Sequence, residues 1–167
     1  MLIQKFSSKQ MDVMAFGLDD RAILIADGAV RSGKTVAVSI SFLAWAMETF
    51  DKATFIIAGK TVSSAERNVI MPLMTIENLP YSMDYRRSDR QLLVKGNGGR
   101  ENYFYVFGGK DESSYSLVQG LTASGAMFDE VALQPQSFVD QAIARTLATD
   151  NAKIYFNCNP EIGRAHV

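Results

Sequence analysis

The stretch Gly28-Ala29-Val30-Arg31-Ser32-Gly33-Lys34-Thr35 decides the reading of this chain. It fits the pattern of a glycine, four free positions and then Gly-Lys-Ser/Thr at every required place. The residues before it, Ala22-Ile23-Leu24-Ile25-Ala26, read as a buried strand, and Thr35 to Phe50 read as a helix. A loop in that setting is an anion cradle. Gly28 and Gly33 let backbone amides turn inward at a helix N-terminus, where the N–H groups and the helix dipole favour phosphate. The loop, Ala29, Val30, Arg31 and Ser32 included, would then surround the phosphates of a nucleoside triphosphate. Lys34 would reach the β- and γ-phosphates, and the Thr35 hydroxyl would bind Mg²⁺. Arg31, a cation inside the loop, could stabilise transition-state charge in cis.

Composition narrows the class. The 167 residues give room for one domain with a sizeable core. An apolar share of 47% with 21% charged residues is ordinary for a globular protein. The net charge of −1 offers no global basic field for nucleic acid, so any DNA contact would come from a local patch or from parts outside this chain. The single cysteine, Cys158, cannot form an internal disulfide, which suits a reducing cytoplasm. Met1 to Gln10 lacks the apolar run of a signal peptide, and no stretch reads as a membrane span. The one histidine, His166, lies at the extreme end, which argues against histidine catalysis and His-rich metal sites.

Apolar strands alternate with amphipathic helices, the pattern of an α/β domain with a mostly parallel sheet. Strands are expected at 53–58, 125–128 and 153–157, and helices at 63–76 (bent or ended near Pro72) and 137–147. Gln91 to Val94 and Asn102 to Phe107 flank Gly96-Asn97-Gly98-Gly99, which predicts an antiparallel hairpin inserted in the sheet. A second Gly-Lys-Thr, at 59–61, lacks the leading glycine because Thr54 stands there. Lys60 and Thr61 therefore read as a strand end opening the next helix.

A phosphate loop needs an acid at the end of a neighbouring strand. Met127-Phe128-Asp129-Glu130 supplies two. Asp129 would hold Mg²⁺ with Thr35, and Glu130 would take a proton from the attacking water. An Asp-Glu pair alone marks many solvated strand ends; joined to the loop at Gly28 it points to hydrolysis. Asn157-Cys158-Asn159-Pro160 follows the last strand and reads either as a γ-phosphate sensor or as an Asx turn before proline. Gln10 precedes the loop at a distance typical of glutamines that read adenine.

These residues together resemble the large subunits of phage terminases, particularly the PBSX-like prophage group. The resemblance runs through the loop at 28–35, Gly59-Lys60-Thr61 with Ala65-Glu66-Arg67-Asn68, Phe128 to Leu133, Ser137 to Ala142 with Arg145, and Phe156 to Glu161. It implies an N-terminal P-loop NTPase domain over 1–161, with a RecA-like sheet of the additional-strand, catalytic-glutamate type. It implies Gln10 at adenine, Lys34, Thr35 and Asp129 at phosphate and metal, and Glu130 as base. Asn157 and Asn159 fall in the motif coupling hydrolysis to DNA movement. An arginine finger from a neighbouring subunit is expected in such rings, but Gln119-Gly120 occupies its usual place and Arg145 is the alternative. The implied activity is ATP-driven translocation of double-stranded viral DNA into procapsids, in the host bacterial cytoplasm and transiently at the portal. The implied partners are the portal, the small subunit and further copies in a ring, with no membrane. The alternatives are a helicase core or a nucleotide-binding module without turnover; a kinase fits the acid pair less well. The family's nuclease domain has no counterpart here, and 162–167, Ile-Gly-Arg-Ala-His-Val, reads as a translated adapter, a non-native tail after a truncated frame. Arg86, Arg87, Arg90, Lys95 and Arg100 form a local basic run that reads as a DNA-backbone edge or a solvated hairpin.

Overall fold

The computed structural model describes residues 6–28 and 33–159. One seven-stranded sheet runs through it in the order β1-β7-β6-β2-β5-β4-β3. Five strands are parallel: β1 (Ile23–Asp27), β7 (Lys153–Cys158), β6 (Gly125–Asp129), β2 (Thr54–Gly59) and β5 (Glu101–Gly108). The last two, β4 (Gln91–Lys95) and β3 (Ser82–Arg86), join antiparallel as the predicted hairpin and one strand beyond it. Gly98 and Gly99 in the hairpin turn take φ of 73° and 77°, a region open to glycine at little cost.

Side-chain alternation builds a helical layer on each face. Phe55 and Ile57 of β2, Met127 of β6 and Tyr155 of β7 point to one side; Ile56, Ala58, Ala126, Phe128 and Ile154 point to the other. The first face packs on α2 (Lys34–Thr49), whose Phe42 lies between Phe55, Phe104 and Tyr155 at ring-centroid separations of 5.9, 5.8 and 5.2 Å. Gly125 leaves room for Trp45 of α2, since a Cβ there would fall 2.6 Å from the indole. The opposite face carries α5 (Glu112–Gln119) and α6 (Gln136–Ala144), through Val118, Phe138, Val139 and Ala142. The helix expected at 137–147 thus ends earlier, its last residues turning back so that Arg145 O accepts from Ala123 N.

A short α1 (Ser8–Ala15) precedes the sheet. After β2 the chain enters α3 (Val62–Ala65), widens into a π-helical turn over Glu66–Ile70, and continues as α4 (Met71–Met74). Thr61 caps this helix in a capping box with Ser64, and Gly59 is required by close packing: a Cβ there would lie 2.9 Å from Ala65 N. The second Gly-Lys-Thr is therefore a strand-to-helix junction, as its missing glycine suggests.

Asn102 locks this framework. Wholly buried, it accepts from Ala53 N at 2.9 Å and donates to Phe50 O at 2.9 Å, tying the end of α2 to the start of β2. Asn102→Leu keeps the volume but strands both backbone groups, and should lower unfolding free energy by roughly 2–3 kcal/mol in urea titration.

Candidate functional site

The strand order places the site. β7 lies between β1, which leads into the loop, and β6, which ends in the acid pair, so Asp27, Cys158, Asn157 and Asp129 stand in register across the strand ends. Ligands of open parallel sheets bind at the carboxyl ends of the strands. Ala29, Val30, Arg31 and Ser32 of the loop, and the tail from Pro160 onward, lie outside the described residues.

Gly33 closes the loop as the N-cap of α2, with φ 72° and ψ 11°. That left-handed conformation explains glycine here and aims the first amides of α2 toward the strand ends. The Lys34 ammonium donates to Gly28 O at 3.1 Å, to Asn159 Oδ1 at 2.7 Å and to Cys158 O, which gathers both ends of the loop and the end of β7 around one cation. Gln10 lies alongside: a Cβ on Gly33 would stand 2.5 Å from its Nε2. The Gln10 Oε1 accepts from Ser7 N at 2.8 Å, so this residue also completes the capping box of α1.

Asp129 ends β6 and is 2% exposed. Asn157 Nδ2 donates to its Oδ1 at 2.6 Å and to Thr35 Oγ1 at 2.9 Å, joining the hydroxyl of α2 to the carboxylate of β6 through one amide of β7. Asn68 Nδ2 donates to the other Asp129 oxygen at 3.3 Å. Burial raises the Asp129 pKa; the Asn157 hydrogen bond opposes this, the Glu130 charge adds to it, and Asn68 and Lys34 lower it again. Glu130, next in the chain, takes φ 52° and ψ 48°. A non-glycine side chain in that region costs of order 1 kcal/mol or more and persists where the surroundings over-determine it. Gln134 braces the bend by donating to Asp129 O at 2.8 Å and Ala58 O at 3.2 Å.

The residues present fit Mg²⁺ bound with phosphates. The cation prefers few protein ligands plus phosphate and water oxygens, and Thr35 Oγ1 with one carboxylate is such a set. No cluster of three or more acidic, histidine or cysteine ligands occurs among the described residues. Asn157 Oδ1, on a residue 3% exposed, has no hydrogen-bond partner among the described residues. A buried acceptor beside Thr35 and Asp129 suits a donor such as metal-bound water.

Sequence reasoning brings Lys34, Thr35, Asp129, Glu130, Asn157 and Asn159 to one place; the structure gathers Lys34, Thr35, Asp129, Asn157 and Asn159 by hydrogen bonds at the strand ends, and Glu130 follows Asp129 directly in the chain. It misses Asn68, which lies in one of the resembling stretches without a role there, Gln134, to which it gives no role, and the Cys158 carbonyl, which only strand pairing reveals. Arg145 lies at the other end of the sheet, donating to Gln119 O at 2.9 Å, so it does not reach this site within the chain. The basic run of the β3–β4 hairpin is partly matched: Arg86 is 3.8 Å from Asp84 and Arg87 is 3.7 Å from Glu66. No helix among the described residues is long and apolar enough to cross a membrane.

Known proteins place the chain. The family described as terminase large subunit, T4likevirus-type, N-terminal, matches residues 25–165. No curated protein matches. Among solved structures, the large terminase of a thermophilic bacteriophage superposes with a TM-score of 0.89 at 47% identity, covering 94% of this chain and 40% of that one. The same terminase in complex with ATPγS matches with a TM-score of 0.81 at 43% identity over 93% of this chain and 38% of that one. The ATPase domain of the Thermus phage P74-26 large terminase shares the fold, with a TM-score of 0.65 at 18% identity over 92% of this chain and 64% of that one. The chain thus spans about two fifths of the thermophilic phage's protein. It belongs to the terminase large subunit family and corresponds to the N-terminal part of such a protein.

Proposed function

We propose that this chain is the ATP-hydrolysing motor domain of a phage terminase large subunit, in which ATP turnover drives double-stranded viral DNA into procapsids. One observation carries the reading: Thr35 and Asp129, from different elements, are joined through Asn157 beside the Lys34 ammonium. The thermophilic phage's terminase has been captured with ADP and with ATPγS, which supports the same ligand class here.

In this reading the amides of Gly28, Ala29, Val30, Arg31, Ser32 and Gly33 cradle the phosphates and Lys34 pairs with the β- and γ-oxygens. Thr35 and Asp129 hold Mg²⁺, which when bound neutralises charge developing on the phosphates. Glu130 accepts the proton of the attacking water, Arg31 adds positive charge at the transferred phosphoryl group, and Gln10 reads adenine. Asn157 and Asn159, touching Asp129, Thr35 and Lys34 at once, transmit nucleotide state along β7. The finer assignments extend this: a PBSX-like member, and a ring of copies with the portal and small subunit in the host cytoplasm. The test is calorimetric titration with ATPγS and Mg²⁺. One nucleotide per chain, with affinity dependent on Mg²⁺, is expected; no binding would defeat the reading.

A further inference from the structure

The π-helical turn at Glu66–Ile70 has an identifiable cause. Met71 N donates to Glu66 O, five residues back, where an α-helix would bond four back. Pro72 follows directly. It has no N–H to offer the Asn68 carbonyl, and in a regular α-helix its ring would press on that group, so the wider turn relieves the clash. Three of its own residues anchor the turn. Glu66 accepts from Tyr85 Oη at 2.7 Å, and Val69 and Ile70 are wholly buried in the core. Between these anchors Asn68 is presented to the end of β6.

We propose that Asn68 is a positioning residue for the metal-holding carboxylate, fixing the plane of Asp129 through the oxygen that Asn157 does not contact. This rests on the proposed reading of the site. The Asp129 carboxylate can rotate about its terminal torsion, and a single hydrogen bond from Asn157 to Oδ1 leaves that rotation open. The second amide, on Oδ2, closes it. Two neutral amides orient the carboxylate without supplying a cation that would compete with Mg²⁺. Groups in this supporting position around metal sites change metal affinity about 10–100-fold when removed. No charged group of the helix is needed for this, since the donor is the Asn68 amide alone.

The experiment compares the wild-type chain with Asn68→Ala and Asn68→Leu, the second keeping the side-chain volume without the amide. Mn²⁺ affinity in the presence of ATPγS is read by electron paramagnetic resonance, and ADP affinity is read separately in EDTA. Both variants are expected to bind Mn²⁺ about tenfold more weakly while metal-free ADP affinity stays unchanged. Unchanged Mn²⁺ affinity in either variant overturns the assignment. So does an equal fall in metal-free ADP affinity, which would show general damage to the nucleotide pocket. A wild-type chain that binds neither nucleotide nor Mn²⁺ overturns the site reading beneath it, and the Asn68 role with it; wild-type binding with unaltered variants removes Asn68 alone.

Discussion

Glu130→Gln is expected to keep nucleotide affinity and lower ATP turnover on the order of 10²–10⁴-fold, the range for loss of a positioned general base. The substitution is isosteric, so the left-handed backbone at φ 52° and the brace from Gln134 to Asp129 O should persist. What changes is the ability to accept a proton from water beside the transferred phosphate. Phosphate release and ATPγS affinity, measured on the same preparation, separate chemistry from binding. Native turnover in Glu130→Gln would remove the residue from the base role and direct attention to Asp129.

Lys34→Ala should act on the other quantity. The ammonium donates to Gly28 O, Cys158 O and Asn159 Oδ1, and the same donors would face the phosphates when nucleotide binds. A charge-assisted hydrogen bond contributes about 1.5–3 kcal/mol, so the expected loss is roughly ten- to a hundredfold in ATPγS affinity. Chemical denaturation should show a smaller change, because the three acceptors are only part-buried and water can replace the lysine there. Unaltered affinity would mean that the loop holds its ligand by backbone amides alone. The two variants should also differ in kind: one binds without turning over, the other fails to bind.

The loop, its strand and its helix are legible because glycine spacing and apolar runs are local. The strand ends are legible too: Asp129 follows an unbroken small and apolar run, and Asn157 follows another. The order of the strands is not, because the insertion of β7 between β1 and β6 depends on pairing residues more than a hundred positions apart. That insertion is what turns Asn157 from a plausible Asx turn into the link between Thr35 and Asp129. The helices that local reading passes over, α1 and α5, are short and bury little: α1 buries none of its residues, and α5 buries Ser114 and Val118. Strand β3 escapes notice for a related reason: Ser82-Met83-Asp84-Tyr85-Arg86 alternates as a strand should, but it lies at an exposed edge and buries no residue fully. Asn68 is hidden by its helix. Pro72 signals a disturbance there, yet only the widened turn shows which side chain it re-aims.

Cocrystals with ATPγS and Mn²⁺, read by anomalous scattering, put the site to its most direct test. The expected result is one manganese peak contacting Thr35 Oγ1 or the Asp129 carboxylate, with the nucleotide phosphates lying along Gly28 to Thr35. Phosphates bound elsewhere on the sheet, or manganese remote from both residues, would contradict the assignment of this strand-end cluster as the nucleotide site.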